Sequence, residues 1–246
     1  MRKIPLLKPS STADRVANIL RERILGMAEN AYMGSEADIA AEIGVSMPTL
    51  RQASRMLEYE ELLVVKPGKG GGYFTRRPTI ETAIKSASQY LSAKDLISNA
   101  SFMDAADSVV VPMLIGAVKC EDVALIKKLE AFIVEQKESA DNLLPPEESF
   151  KYSADFMGLL AAMSGNILIE LFVRILWNEV STSRTKTSYN GSQDLIELNY
   201  KTRLGLAEAV ISQDAELAIK AWQKRSKFLR TWPRRGLHLL PQRRHS

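Results

Sequence analysis

The sequence predicts a mostly α-helical protein built in two parts, a small mixed N-terminal domain and a larger antiparallel helical bundle. Three observations predict it. Strand-type runs are confined to Leu62–Lys66 and Tyr73–Arg76. From Thr79 onward such runs vanish, and apolar residues recur at three- and four-residue spacing as far as position 231. A chain of 246 residues with 46% apolar content is also long enough for two cores.

Residues 1–10 (MRKIPLLKPS) read as a flexible basic arm, and residues 11–77 as the first domain. Its first helix is predicted from Thr12 to Met27, where Val16, Ile19, Leu20 and Ile24 share one side and Gly26 stands near the end. Arg15, Arg21 and Arg23 fall outside that stripe and read as a solvated face. Ser35 can cap a second helix, with Asp38 three residues on; Ile39, Ala40 and Ile43 are its apolar side, and Gly44 can end it in the left-handed conformation. Ser46 caps a third helix with Leu50, Ala53, Ser54 and Leu57 inward and Arg51, Gln52 and Arg55 off the stripe. Pro48 sits in its first turn, where proline is accepted. The two strand-type runs enclose Pro67–Gly72, a basic, turn-rich tip. Two short helices joined by a tight turn, the second bearing exposed polar and basic groups, followed by a β-hairpin, spell a winged helix-turn-helix that binds DNA.

Residues 79–231 are predicted to form about seven helices, near 79–92, 95–117, 121–140, 146–163, 167–183, 192–212 and 214–231. Short connections make the bundle antiparallel. Pro112 falls inside the second of these helices and should kink it. Leu144-Pro145-Pro146 opens the fourth, Gly165-Asn166 closes it, Asn190-Gly191 precedes the sixth, and Pro233 ends the last. Residues 232–246 read as a basic tail.

Composition narrows the function. A net charge of +4 and a pI near 9.1 are compatible with nucleic acid. The single cysteine, Cys120, excludes an intrachain disulfide, which fits a reducing cytoplasm. No apolar run is read as approaching the roughly 20 residues needed to span a bilayer, and the N-terminus lacks the apolar region of a secretory signal. The only histidines, His238 and His245, lie in the tail, so the folded part has no Ser-His-Asp or Cys-His site. Gly68–Gly72 lacks the spacing of a phosphate loop. These features point away from an enzyme and imply no cofactor.

In order through the first domain, Ser35, Glu36, Ile39, Ala40, Gly44, Val45, Ser46, Thr49, Leu50, Arg51, Ala53, Leu57, Leu62, Pro67, Gly68 and Gly70 fall in register with one pattern. That pattern resembles the DNA-binding domain of the GntR family of bacterial transcription regulators. The resemblance implies DNA contacts by Ser35, Ser46, Met47, Thr49, Arg51, Gln52 and Arg55, and by Lys69 and Gly70 of the wing. It also implies a homodimer reading a palindromic double-stranded operator. Family members carry Arg after the Ser-Glu pair and after the serine capping the recognition helix; this chain has Ala37 and Met47 there. Two candidate readers of guanine are therefore absent, and Arg51 remains.

The second part resembles the helical effector (FCD) domain of the FadR-type branch of that family, through Phe156…Ser164-Gly165-Asn166 and Ala209…Asp214…Ala218. Relatives of this type hold a metal with an Asp and three His; the corresponding positions here are Ser153, Met157, Arg203 and Arg225, which cannot form an ordinary divalent-metal ligand set. Periodicity independently turns these residues inward. Arg203 lies on the stripe Ile196, Asn199, Arg203, Leu206, Val210, and Arg225 on Ala218, Ala221, Trp222, Arg225, Leu229. Ser153 and Met157 lie on Phe150, Ser153, Met157, Leu160. Buried guanidinium groups need anions. Two sources remain open: an internal acid, with Asp104, Asp107, Asp155 and Glu170 as candidates, or a small anionic metabolite. The sequence thus reads as a DNA-binding regulator, a repressor, whose helical domain senses a small organic anion. The alternatives are a DNA-binding protein without an effector and, further off, an enzyme.

Overall fold

The computed structural model describes residues 11–92, 98–139, 146–182 and 193–231. The expected arm at 1–10 and tail at 232–246 lie outside these residues. The chain divides into two compact units between Ala83 and Ile84.

The first unit holds α1 (Thr12–Leu25), β1 (Tyr32–Gly34), α2 (Glu36–Ile43), α3 (Met47–Tyr59), β2 (Leu63–Lys66), β3 (Gly72–Thr75) and the start of α4 (Ile80–Ser92). Ser11 and Ser35 each form a reciprocal capping box with the aspartate three residues on, Asp14 and Asp38. Gly44 closes α2 at φ 75°, a conformation that costs a glycine nothing. Val16, Leu20 and Ile24 of α1, Ile39 of α2, Leu50 and Leu57 of α3, and Leu63 and Tyr73 of the sheet make one apolar core.

Three details correct the sequence reading. Helix α1 ends at Leu25, because Gly26 caps it. The wing is part of a three-stranded antiparallel sheet in the order β1-β3-β2, in which Tyr32 pairs with Phe74. A three-residue strand leaves no periodicity to read and exists only because β3 offers it an edge. The arginines of α1 are also not all a solvated face. Arg21 forms two hydrogen bonds with Glu60, at 2.9 and 2.7 Å, and Arg23 pairs with Glu42 at 2.8 Å. Arg77 turns back to donate to the carbonyls of Ile24, in the last turn of α1, and Met27, just past its end.

The second unit contains the rest of α4, then α5 (Asn99–Ala117), α6 (Val123–Glu138), α7 (Pro146–Met163), α8 (Ile167–Thr182), α9 (Gln193–Ile211) and α10 (Ala215–Thr231). Helices α7 and α8 pack as a pair, as do α9 and α10, and α5 packs against α7, α8 and α10. Phe102, Met103, Val110, Met113, Phe156, Met157, Leu160, Val173, Trp177, Leu206 and Trp222 form its core. Ser164-Gly165-Asn166 is a working turn. Gly165 takes φ 67°, and the Asn166 side chain accepts from the amides of Leu168 and Ile169 to start α8. Gly116 of α5 is a close-approach site, since a Cβ there would stand 2.6 Å from the Ser164 carbonyl oxygen. One further correction concerns α5, whose 19 residues are long and apolar enough by composition to cross a bilayer. In the fold it packs Phe102, Met103, Val110, Met113 and Leu114 into the bundle core, and Asp104 and Asp107 on it bond Arg230.

Candidate functional sites

The first site is the exposed surface of α2, α3 and the wing. Burial of Leu50, Ala53, Ser54 and Leu57 fixes the rotation of α3 and leaves Arg51, Gln52 and Arg55 exposed. Met47 opens the helix with 41% of its surface exposed. The Ser46 hydroxyl accepts from the Thr49 amide and lies 2.9 Å from the Thr49 hydroxyl. Ser35 is likewise engaged in its cap. Arg51 is not free: its Nε and Nη2 donate to the two carboxylate oxygens of Glu36, at 2.6 and 3.1 Å, and that carboxylate raises the guanidinium pKa further. Its Nη1 takes no part in that pair. Lys69 and Gly70 sit exposed at the wing tip. The tip needs its glycines: Gly68 and Gly70 adopt φ 90° and 82°, and a Cβ on Gly71 would stand 2.2 Å from the Lys66 carbonyl oxygen.

The second site is a polar island inside the bundle. Arg203 of α9 and Arg225 of α10 each expose 2% of their surface. Arg203 donates through Nε to Gln136 Oε1 at 2.9 Å. Its Nη1 donates to Ser153 Oγ at 3.0 Å and to the Ser149 hydroxyl and carbonyl at 3.2 Å. Its guanidinium carbon lies 4.9 Å from the centre of the Tyr152 ring. Arg225 donates through Nη1 to the Asn199 carbonyl and the Thr202 hydroxyl, both at 3.0 Å, while its buried Nε has no partner. Every one of these acceptors is neutral. Burial therefore lowers the pKa of Arg203 to about 10. Burial and the neighbouring Arg203 lower that of Arg225 to about 9.

The structure joins Ser153, Arg203 and Arg225 in one network and buries Met157 in the core around it. The four acids considered as partners go elsewhere. Asp104 and Asp107 bind Arg230, at 2.8 and 2.7 Å, and Asp107 also accepts from Trp222 Nε1 and Ser226. Glu170 binds Arg174 one turn along α8, and Asp155 faces solvent. Gln136 and Ser149 were not foreseen. Gln136 did leave a signal, for it continues the inward row Leu129, Phe132, Ile133 of α6, where a polar residue has no business without a partner. Among the described residues, no cluster of three or more His, Cys, Asp or Glu side chains stands ready for a metal ion.

Residues 12–71 match the family described as bacterial regulatory proteins, gntR family. The solved structure of Streptococcus agalactiae GntR is similar over 89% of this chain and 98% of its own, with 15% identity and a TM-score of 0.59, a likeness of fold. Lar of Listeria monocytogenes is 19% identical over 91% of this chain and 96% of its own, with a TM-score of 0.42. E. coli McbR/YncC is 14% identical over 88% and 94%, with a TM-score of 0.40. No curated protein matches the chain.

Proposed function

We propose that this chain, which carries the DNA-binding domain of a GntR-family transcription regulator at residues 12–71, is a repressor of the FadR-type branch that releases its operator when the helical domain binds a small organic anion. The observation that carries the effector reading is the burial of two guanidinium groups whose hydrogen-bond acceptors are all neutral, Glu135 acting on Arg203 through space alone, with one donor, Arg225 Nε, unmatched. Leaving such a charge without an anion costs several kcal/mol, on the order of 3–5. Guanidinium forks match carboxylate and phosphate oxygens in pairs, so an entering anion offsets that cost. Ser153 adds a hydroxyl to the site, and Met157, Leu206 and Trp222 give it apolar surroundings.

Under this reading Arg51, Gln52, Arg55, Met47 and Thr49 face base edges and phosphates from the recognition helix, Ser35 and Ser46 lie at the backbone, and Lys69 and Gly70 enter a neighbouring groove. Two copies of the chain pair through the helical domain and read a palindrome in the cytoplasm, with no membrane involved and no catalysis. The exposed Ile167, Leu168 and Phe172 on α8 support pairing through that domain. The anion acts on DNA binding only if it prefers one arrangement of the dimer over another.

A second reading, that both arginines are purely structural, draws on the good coordination of Arg203 by Gln136, Ser149 and Ser153. A thermal-shift screen of organic acids separates the two. Wild type should be stabilised by at least one acid, and the Arg203→Met, Arg225→Met double variant by none. Equal response of both proteins, or none from wild type, removes the effector reading and leaves the DNA-binding one in place.

A further inference from the structure

Helix α3 begins with a side chain that the fold does not use. Met47 keeps 41% of its surface exposed and takes no place in the apolar core of the first unit. Its spacing from Leu50, Ser54 and Leu57 would turn it inward, but the buried row begins only at Leu50. The polar groups beside it are engaged or missing. Pro48 is exposed and has no N–H, and the Thr49 amide and hydroxyl both meet Ser46 Oγ, at 3.4 and 2.9 Å. The Leu50 amide bonds the Ser46 carbonyl at 3.0 Å. The tip of this helix therefore presents mostly carbon and sulfur, where a helix start ordinarily presents donors.

We propose that Met47 reads the C5-methyl group of a thymine in the major groove, so that the operator carries a T·A pair facing the start of α3. This rests on the DNA-binding reading above and adds a base preference to it. In a helix-turn-helix the first residues of the second helix are the ones that reach base edges. Guanine and adenine offer N7 with O6 or N6 there, cytosine an amino group, and thymine O4 with a methyl group. A thioether is a weak acceptor and no donor, so it matches none of the polar edges. Pressed against one of them, it would leave that group with neither water nor a partner. Against the methyl group it buries apolar surface on both sides. Methionine suits this contact, because it is unbranched and its three rotatable bonds let the thioether follow the groove.

The test begins with full-length wild-type protein, which selects its site from a pool of random-sequence duplexes. The selected duplex is then rebuilt with deoxyuridine in place of one thymidine at a time, a change that deletes the methyl group and keeps every hydrogen-bonding group. At one thymine, deoxyuridine should weaken binding by wild type about fourfold, the worth of one buried methyl group. Met47→Ala changes an exposed side chain and leaves the core intact, and it should bind the two duplexes equally. Met47→Arg should instead select guanine at that position. If no single deoxyuridine weakens wild type, or if Met47→Ala keeps the same discrimination at every thymine, the assignment of Met47 is wrong and the DNA-binding reading survives. If the pool yields no enriched sequence, that reading falls with it.

Discussion

Arg51 of the recognition helix is gripped by Glu36 of the preceding helix through two parallel hydrogen bonds, of 2.6 and 3.1 Å. The grip holds the guanidinium through Nε and Nη2, and under the proposed DNA-binding role the Nη1 side meets a base. Arg51→Ala should weaken binding to the cognate operator by roughly 1–3 kcal/mol and relax preference at one base pair. Glu36→Gln should keep the Nη1 side available yet loosen its aim, so that discrimination between cognate and altered sites falls more than affinity. Gel-shift titrations on both sites check this. Unchanged binding by Arg51→Ala removes Arg51 from the contact surface.

Arg225→Met tests what the buried charge costs. Methionine fills much of the same volume, and the Thr202 hydroxyl released by the change already donates to the Leu198 carbonyl. Replacing buried ions by apolar residues is often stabilising by about 1–4 kcal/mol. We expect the variant to unfold at higher urea concentration than wild type in the absence of any acid, and to lose its response to acids. Destabilisation by several kcal/mol would show instead that the guanidinium is a structural tie between α9 and α10.

The same arginine sets a pH dependence. Its folded pKa of about 9 lies well below the ordinary arginine value, through burial first and the charge of Arg203 second. Between those values the unfolded chain binds more protons than the folded one, so this group makes stability rise with pH from about 9 upward. Below that range its cost is fully present. An anion needs the charged form. Acid affinity should therefore be flat up to about pH 8 and about tenfold weaker at pH 10, read by calorimetry. A flat profile through pH 10 would place the anion elsewhere.

On α8, Ile167, Leu168 and Phe172 expose 69%, 60% and 51% of their surfaces. An apolar cluster this open suits a two-fold contact between identical copies. Sedimentation should give a dimer for wild type at micromolar concentration, and a monomer with unchanged far-ultraviolet dichroism for the Leu168→Asp, Phe172→Asp double variant. A dimer that survives both substitutions assigns the interface to another face.

Local chemistry alone determined a good deal here. Ser35, Ser46 and Gly44 mark helix ends because caps and left-handed turns depend on residues only a few positions apart. Helical period then turned Arg203, Arg225, Ser153 and Met157 inward, and the fold buries all four. Partnership was a different matter. Arg225 finds the carbonyl of Asn199, Arg203 finds Gln136 and Ser149, and Asp107 goes to Arg230 across 123 positions of chain. Glu36 reaches Arg51, and β1 finds an edge on β3. Hydrogen bonds depend on sub-ångström distance and direction between side chains on separate elements. Periodicity fixes which face a residue occupies, and only the packing of one helix against another decides which atoms meet.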